Sequence, residues 1–133
     1  MKTLTILRDR DFVERARRVL AAEHERGNRT VTLRRLAALT VYGPAGSFHV
    51  GFARAYSQVS AFRRMPPQRR RAWASTPCRC RVRDMAARVD SLLEPGRRPS
   101  VARALTAVMS QGAPRFYFSV RYGMRILRKH LRQ

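Results

Sequence analysis

Apolar residues recur along the chain at the three- and four-residue spacing of amphipathic helices, and six helical segments can be traced. The first covers about Arg10 to Arg26 and places Phe12, Val13, Ala16, Val19 and Leu20 on one face. Gly27-Asn28 closes it, as residues tolerant of a left-handed backbone do at a helix C-terminus. Thr30 or Thr32 can cap a second helix carrying Leu33, Leu36, Ala37 and Thr40. Tyr42 to Ser47 reads as a turn, and Phe48-His49-Val50 as a short apolar piece. A third helix from about Phe52 to Arg64 carries Phe52, Ala55, Tyr56, Val59 and Phe62 in one stripe.

Met65-Pro66-Pro67-Gln68-Arg69-Arg70-Arg71 breaks this pattern, because two prolines stop the helix and three successive arginines are poor core material. Thr76-Pro77 then opens a fourth helix with Val82, Met85, Ala86, Val89, Leu92 and Leu93 in its stripe, stopped by Pro95-Gly96. Ser100 caps a fifth helix bearing Val101, Leu105 and Val108. After Gln111-Gly112-Ala113-Pro114 and the aromatic Phe116-Tyr117-Phe118, Ser119 caps a last helix that buries Val120, Met124, Leu127 and Leu131. Val13, Gly27, Leu36, Gly43 and Phe48 line up with Val82, Gly96, Leu105, Gly112 and Phe116 if one residue slips inside the turn. This is the pattern of an internal repeat, or of two unrelated helical runs sharing a periodicity. The expected fold is all-α: a three-helix unit over 1–64, a basic Pro/Arg-rich linker over 65–76, and a second three-helix unit over 77–133.

Charge changes the picture. Twenty-nine Lys plus Arg face eight Asp plus Glu, a formal net charge of +21 spread along the whole chain. A compact protein with that excess repels itself, and a polyanionic partner relieves the repulsion. Lys2 and Lys129 are the only lysines. A GC-rich coding bias accounts for arginine over lysine, but not for the shortage of acids. Guanidinium forks also suit phosphates and guanine edges.

The sharpest charge feature is the last helix. Arg121, Arg125, Arg128 and Arg132 fall on one face opposite the apolar stripe, with Lys129 beside them and no acid among them. Such a row, with neighbours about 5–6 Å apart, can follow a phosphate backbone or enter a groove. The third helix offers Arg54, Gln58 and Arg64 on a comparable face, where Gln58 could pair with adenine. Arg63, Arg64, Arg69, Arg70 and Arg71 could form an arm on phosphates or in a narrow minor groove, or a solvated linker. Phe116, Tyr117 and Phe118 either stack unpaired bases or fill a small core, and core packing is the favoured reading. Trp73 either locks the linker onto one unit or stands exposed as a contact.

The order helix, helix, turn, helix in each half resembles the trihelical helix-turn-helix units of DNA-binding proteins. That resemblance implies a third helix that docks in the major groove. The links over 42–51 and 111–119 are longer than the three or four residues of a standard turn in that family. Ala113-Pro114-Arg115-Phe116-Tyr117-Phe118-Ser119 also resembles a motif of short, basic, uncharacterised bacterial proteins, a family without an established activity.

Catalytic chemistry is not in view. The sequence has no phosphate-cradling glycine loop, G-x-S-x-G or H-E-x-x-H, and its eight carboxylates sit mostly near helix starts or among arginines. Cys78 and Cys80 at C-x-C spacing cannot complete a four-ligand zinc site, and no cofactor is expected. No apolar run is long enough to span a membrane, and the first residues are too soon charged for a secretory signal. The expectation is a non-enzymatic, cytoplasmic, nucleoid-associated bacterial protein that binds nucleic acid, duplex DNA before RNA, as a regulator or mobile-element accessory. The alternatives are a structural RNA-binding or ribosome-associated protein, and a cationic membrane-active or protein-interaction module.

Overall fold

The structure, a computed structural model, describes residues 2–93, 95–96 and 100–131. Among the described residues seven helices follow one another: α1 (Lys2–Glu25), α2 (Leu33–Val41), α3 (Phe52–Arg63), α4 (Pro67–Trp73), α5 (Pro77–Leu92), α6 (Val101–Met109) and α7 (Val120–His130). Among the described residues there is no sheet, and one isolated antiparallel bridge joins Ala45 to Ala113. The fold is all-α.

Local chemistry accounts for the helix ends. Thr32, Thr76, Ser100 and Ser119 each accept a hydrogen bond from the backbone N–H three residues on, capping α2, α5, α6 and α7. Gly27 closes α1 at φ +87°: its N–H donates to the His24 carbonyl and the Asn28 N–H to that of Glu23. Two elements go beyond the sequence reading. Helix α1 starts at Lys2 rather than near Arg10, and its early turns are held by Arg8. That guanidinium donates to the Tyr122 hydroxyl at 2.7 Å and lies over the rings of Phe118 and Tyr122. The expected linker contains α4, because Pro67 stands at its first position, where the missing N–H costs nothing.

The helices divide into two units, but not where the chain pattern divides them. Unit 1 comprises 1–49 and 112–133, so α7 packs with α1 and α2. Unit 2 comprises 50–111, so α3 packs with α5 and α6. The expected split at 64 and 77 is therefore corrected: each third helix packs with the first two helices of the other half.

Unit 1 shows why. Phe12 is fully buried, with edge-on rings of Phe116 and Phe118 at 5.1 and 4.9 Å. Gly123 of α7 passes so close that a Cβ there would lie 2.9 Å from the Phe12 ring and 3.2 Å from Val41. The corresponding residue of α3 is Ala55, whose Cβ would collide in that seat. The links reinforce the choice. Ala45 and Ala113 exchange both backbone hydrogen bonds at 2.9 Å, and the Phe116 N–H donates to the Val41 carbonyl. Asp11 ties the first link to α1, since one carboxylate oxygen accepts the Gly46 N–H at 2.8 Å and the other accepts from Arg15. The chain leaves the unit at His49, a non-glycine residue at φ 54° held by Asp11 and stacked on Phe116.

In unit 2 the core is Ala55, Val59 and Phe62 of α3 against Val82, Met85, Ala86 and Val89 of α5 and Ala104, Leu105 and Val108 of α6. Phe52 and Tyr56, expected in the α3 stripe, are instead about two-fifths exposed (42 and 41%), and Leu92 is exposed too. In the two halves α1, α2 and α3 correspond to α5, α6 and α7, and α4 has no counterpart. One spacing separates Leu33 from Val101, Ala45 from Ala113 and the cap residues Gly51 and Ser119, with the last pair at nearly the same φ and ψ. Gly27 and Gly96, both at positive φ, are one residue further apart. The slip therefore precedes α2 and α6 instead of lying in the turn.

The Gly123 seat makes a sharp prediction. Gly123→Ala should destabilise the protein by about 1–3 kcal/mol in denaturant unfolding, as overpacking does. Gly51→Ala, where nothing lies within 4 Å of the added Cβ and φ is −72°, should be close to neutral.

Candidate nucleic-acid interface

Helix α7 turns Gly123, Ile126 and Leu127 inward and leaves Arg121, Arg125, Arg128 and Lys129 exposed. Among the described residues, none of these four cations has a hydrogen bond or a carboxylate partner. Arg132 lies outside the described residues. Six of the eight acids are engaged elsewhere: Asp9 with Arg8, Asp11 with Arg15, Glu14 with Arg18, Glu23 with Arg26 and Arg35, Asp84 with Arg83, and Asp90 with Arg63. Arg128 and Lys129 sit in the last turn, where the helix dipole favours cations. Arg121 sits in the first turn, where it opposes the dipole, so helix stability does not account for it.

Val120 and Met124 are half-buried rather than core residues, and this opens a cleft beside the arginine row. The cleft holds about 470 Å³ and is lined by Arg34 of α2 with Val120, Arg121, Met124 and Arg128 of α7. Among the described residues, Arg34 is exposed and unpaired and no carboxylate lines the cleft. Lys129 faces elsewhere, into a depression of about 630 Å³ between α1 and α7 that also carries Asp9 and Glu14. Its mixed charge makes it a weaker attractor for a polyanion.

The remaining sequence candidates all belong to unit 2. Arg54, Arg64, Arg69 and Arg71 are exposed and unpaired among the described residues, and Gln58 is half-buried. The residues of α3 that correspond to Arg121, Arg125 and Arg128 are Ala53, Ser57 and Ser60, so the arginine row is not repeated. Arg70 is a structural residue. Its guanidinium donates to the carbonyls of Met65 and Arg63 at 3.0 and 2.7 Å and lies over the Phe62 ring, closing the end of α3. Trp73 locks α4 in place, with its ring 5.5 Å from Phe62 and under the Arg79 guanidinium. Phe116, Tyr117 and Phe118 are buried at 1, 8 and 7% exposure, so they pack the core and do not present a stacking surface. Both cysteines are unbridged, and among the described residues no His, Cys, Asp and Glu group could hold a metal ion. No helix is long and apolar enough to cross a membrane among those residues.

Comparison with protein-family models, curated proteins and solved structures found no match to the chain.

Two adjacent arginines of α4 should separate by role. Arg70→Ala should lower unfolding stability by about 1–2 kcal/mol, because its hydrogen bonds to two carbonyls disappear. Arg69→Ala should leave stability within experimental error, as measured by the thermal midpoint of each variant.

Proposed function

We propose that the protein is a non-enzymatic nucleic-acid-binding protein that docks the exposed face of α7 on a duplex, DNA in preference to RNA. The observation that carries the reading is the set of exposed arginines on an acid-free helix, Arg121, Arg125 and Arg128, with Arg34 across the adjoining cleft. In a protein of net charge +21 that pairs most of its acids elsewhere, leaving these cations uncompensated is a cost that a polyanion removes. Phosphate contacts from this row fix position and orientation on the duplex, and any base contact comes from the same arginines. The exposed Arg54, Arg64, Arg69 and Arg71 add non-specific affinity. Gln58 contributes less to this reading because it is half-buried, as does Arg70, whose Nε–H and one Nη2–H already donate to carbonyls.

The test is equilibrium binding of the full chain to duplex DNA, duplex RNA and single strands of equal length. Duplex DNA should bind tightest. Arg121→Ala, Arg125→Ala and Arg128→Ala combined should leave helicity intact by circular dichroism and weaken duplex binding strongly. The slope of log affinity against log salt should become shallower by about 0.9 for each phosphate that the variant no longer neutralises. Tighter binding to RNA would favour a ribosome-associated or structural RNA partner. Unchanged duplex binding by the triple variant would remove α7 from the interface.

A further inference from the structure

We infer that Arg34, Arg121 and Arg128 act together as one pocket for a single phosphodiester phosphate, with the adjoining sugar laid against Met124 and Val120. This rests on the nucleic-acid reading above and specifies how a strand is gripped. The three guanidinium groups come from separate places, the first turn of α2 and the first and last turns of α7, yet they line one cleft. Arg34 and Arg121 both sit where a helix dipole disfavours cations, and neither first turn contains an acid. An anion between them offsets both penalties at once. The forked guanidinium group matches phosphate oxygens, and the half-buried Met124 and Val120 supply an apolar floor suited to a sugar edge. The volume of about 470 Å³ exceeds what a lone phosphate fills and accommodates phosphate and sugar together.

The internal repeat provides a control within the same chain. The residues of unit 2 that correspond to Arg34, Arg121 and Arg128 are Ala102, Ala53 and Ser60. All three cations are absent there together, whereas the buried positions of the same helices, such as Leu127 and Val59, remain apolar. The trio thus behaves as one feature laid over a repeated core. A phosphate pocket positions a strand without reading its bases, so this contact is independent of sequence.

The test begins with inorganic pyrophosphate titrated into the full chain at physiological salt, followed by NMR. Shifts should concentrate on the Nε–H groups of Arg34, Arg121 and Arg128 and on the Met124 methyl, with Arg69 and Arg125 little moved. Arg34→Ala, an exposed substitution by a better helix former, should weaken pyrophosphate about tenfold or more. On duplex DNA, Arg34→Ala and Arg121→Ala should each weaken binding, and together by less than the product of the two losses, because they share one phosphate. Shifts spread evenly over the arginines, or multiplicative losses on DNA, would overturn the shared pocket. Full duplex affinity in Arg34→Ala would overturn it too while leaving α7 as the interface. Localised pyrophosphate shifts in a chain that binds no nucleic acid would instead overturn the proposed partner, and with it the phosphodiester assignment.

Discussion

The close passage of Gly123 beneath Phe12 is the packing constraint on which unit 1 depends. A benzyl ring and a bare Cα meet at a distance no side chain could occupy, and this seats α7 against α1 and α2. The aromatic cluster of Phe12, Phe116 and Phe118 then fills the space around the seat, and Arg8 covers it from outside through Tyr122. A three-helix unit of this size has little core to spare, so one such fit carries a large share of its specificity. The orientation of α7 follows. With Gly123, Ile126 and Leu127 turned inward, Arg121, Arg125 and Arg128 must face outward.

The same fit bears on which helix goes where. In the chain, α3 follows α2 and could have closed the first unit, as helix order alone predicts. Its residue at the corresponding position is Ala55, which carries a Cβ where Gly123 carries none. The reciprocal bridge between Ala45 and Ala113 adds a second lock, since it joins the two links that lead to the third helices. Near-repeated halves carry a risk of mispairing, and differences of one methyl group at a crowded crossing are an economical way to choose among pairings. The surfaces differ more than the cores: the cores are apolar in both units, while arginines in one unit correspond to alanines and serines in the other.

Much of this was legible in the sequence because it is local. Helical periodicity, the caps at Thr76, Ser100 and Ser119, the stop at Gly27 and the acid-free face of α7 all depend on residues within a turn or two of each other. What was not legible depends on distance. Exchange of the third helices turns on a packing clearance between Gly123 and Phe12, which no periodicity encodes. Arg34 belongs with α7 only through tertiary packing, and an arginine in an acid-free first turn recurs in α3, α5 and α6, so nothing local singled it out. Arg70 looked like its neighbours Arg69 and Arg71 because composition cannot distinguish a guanidinium folded onto carbonyls from one in solvent. Phe52 and Tyr56 kept the right spacing yet fell on the edge of the buried stripe, where a periodic pattern is least decisive.

In the proposed function a polyanion meets this protein on the α7 face and its Arg34 cleft, rather than wherever arginine happens to be exposed. Arginine-selective modification with phenylglyoxal, read by mass spectrometry with and without duplex DNA, tests it most directly. DNA should protect Arg34, Arg121, Arg125 and Arg128 strongly and Arg69 and Arg71 weakly, and Arg70 should react little with or without DNA because its guanidinium is folded onto two carbonyls. Protection spread evenly over all exposed arginines, or confined to Arg54, Arg64, Arg69 and Arg71, would contradict it.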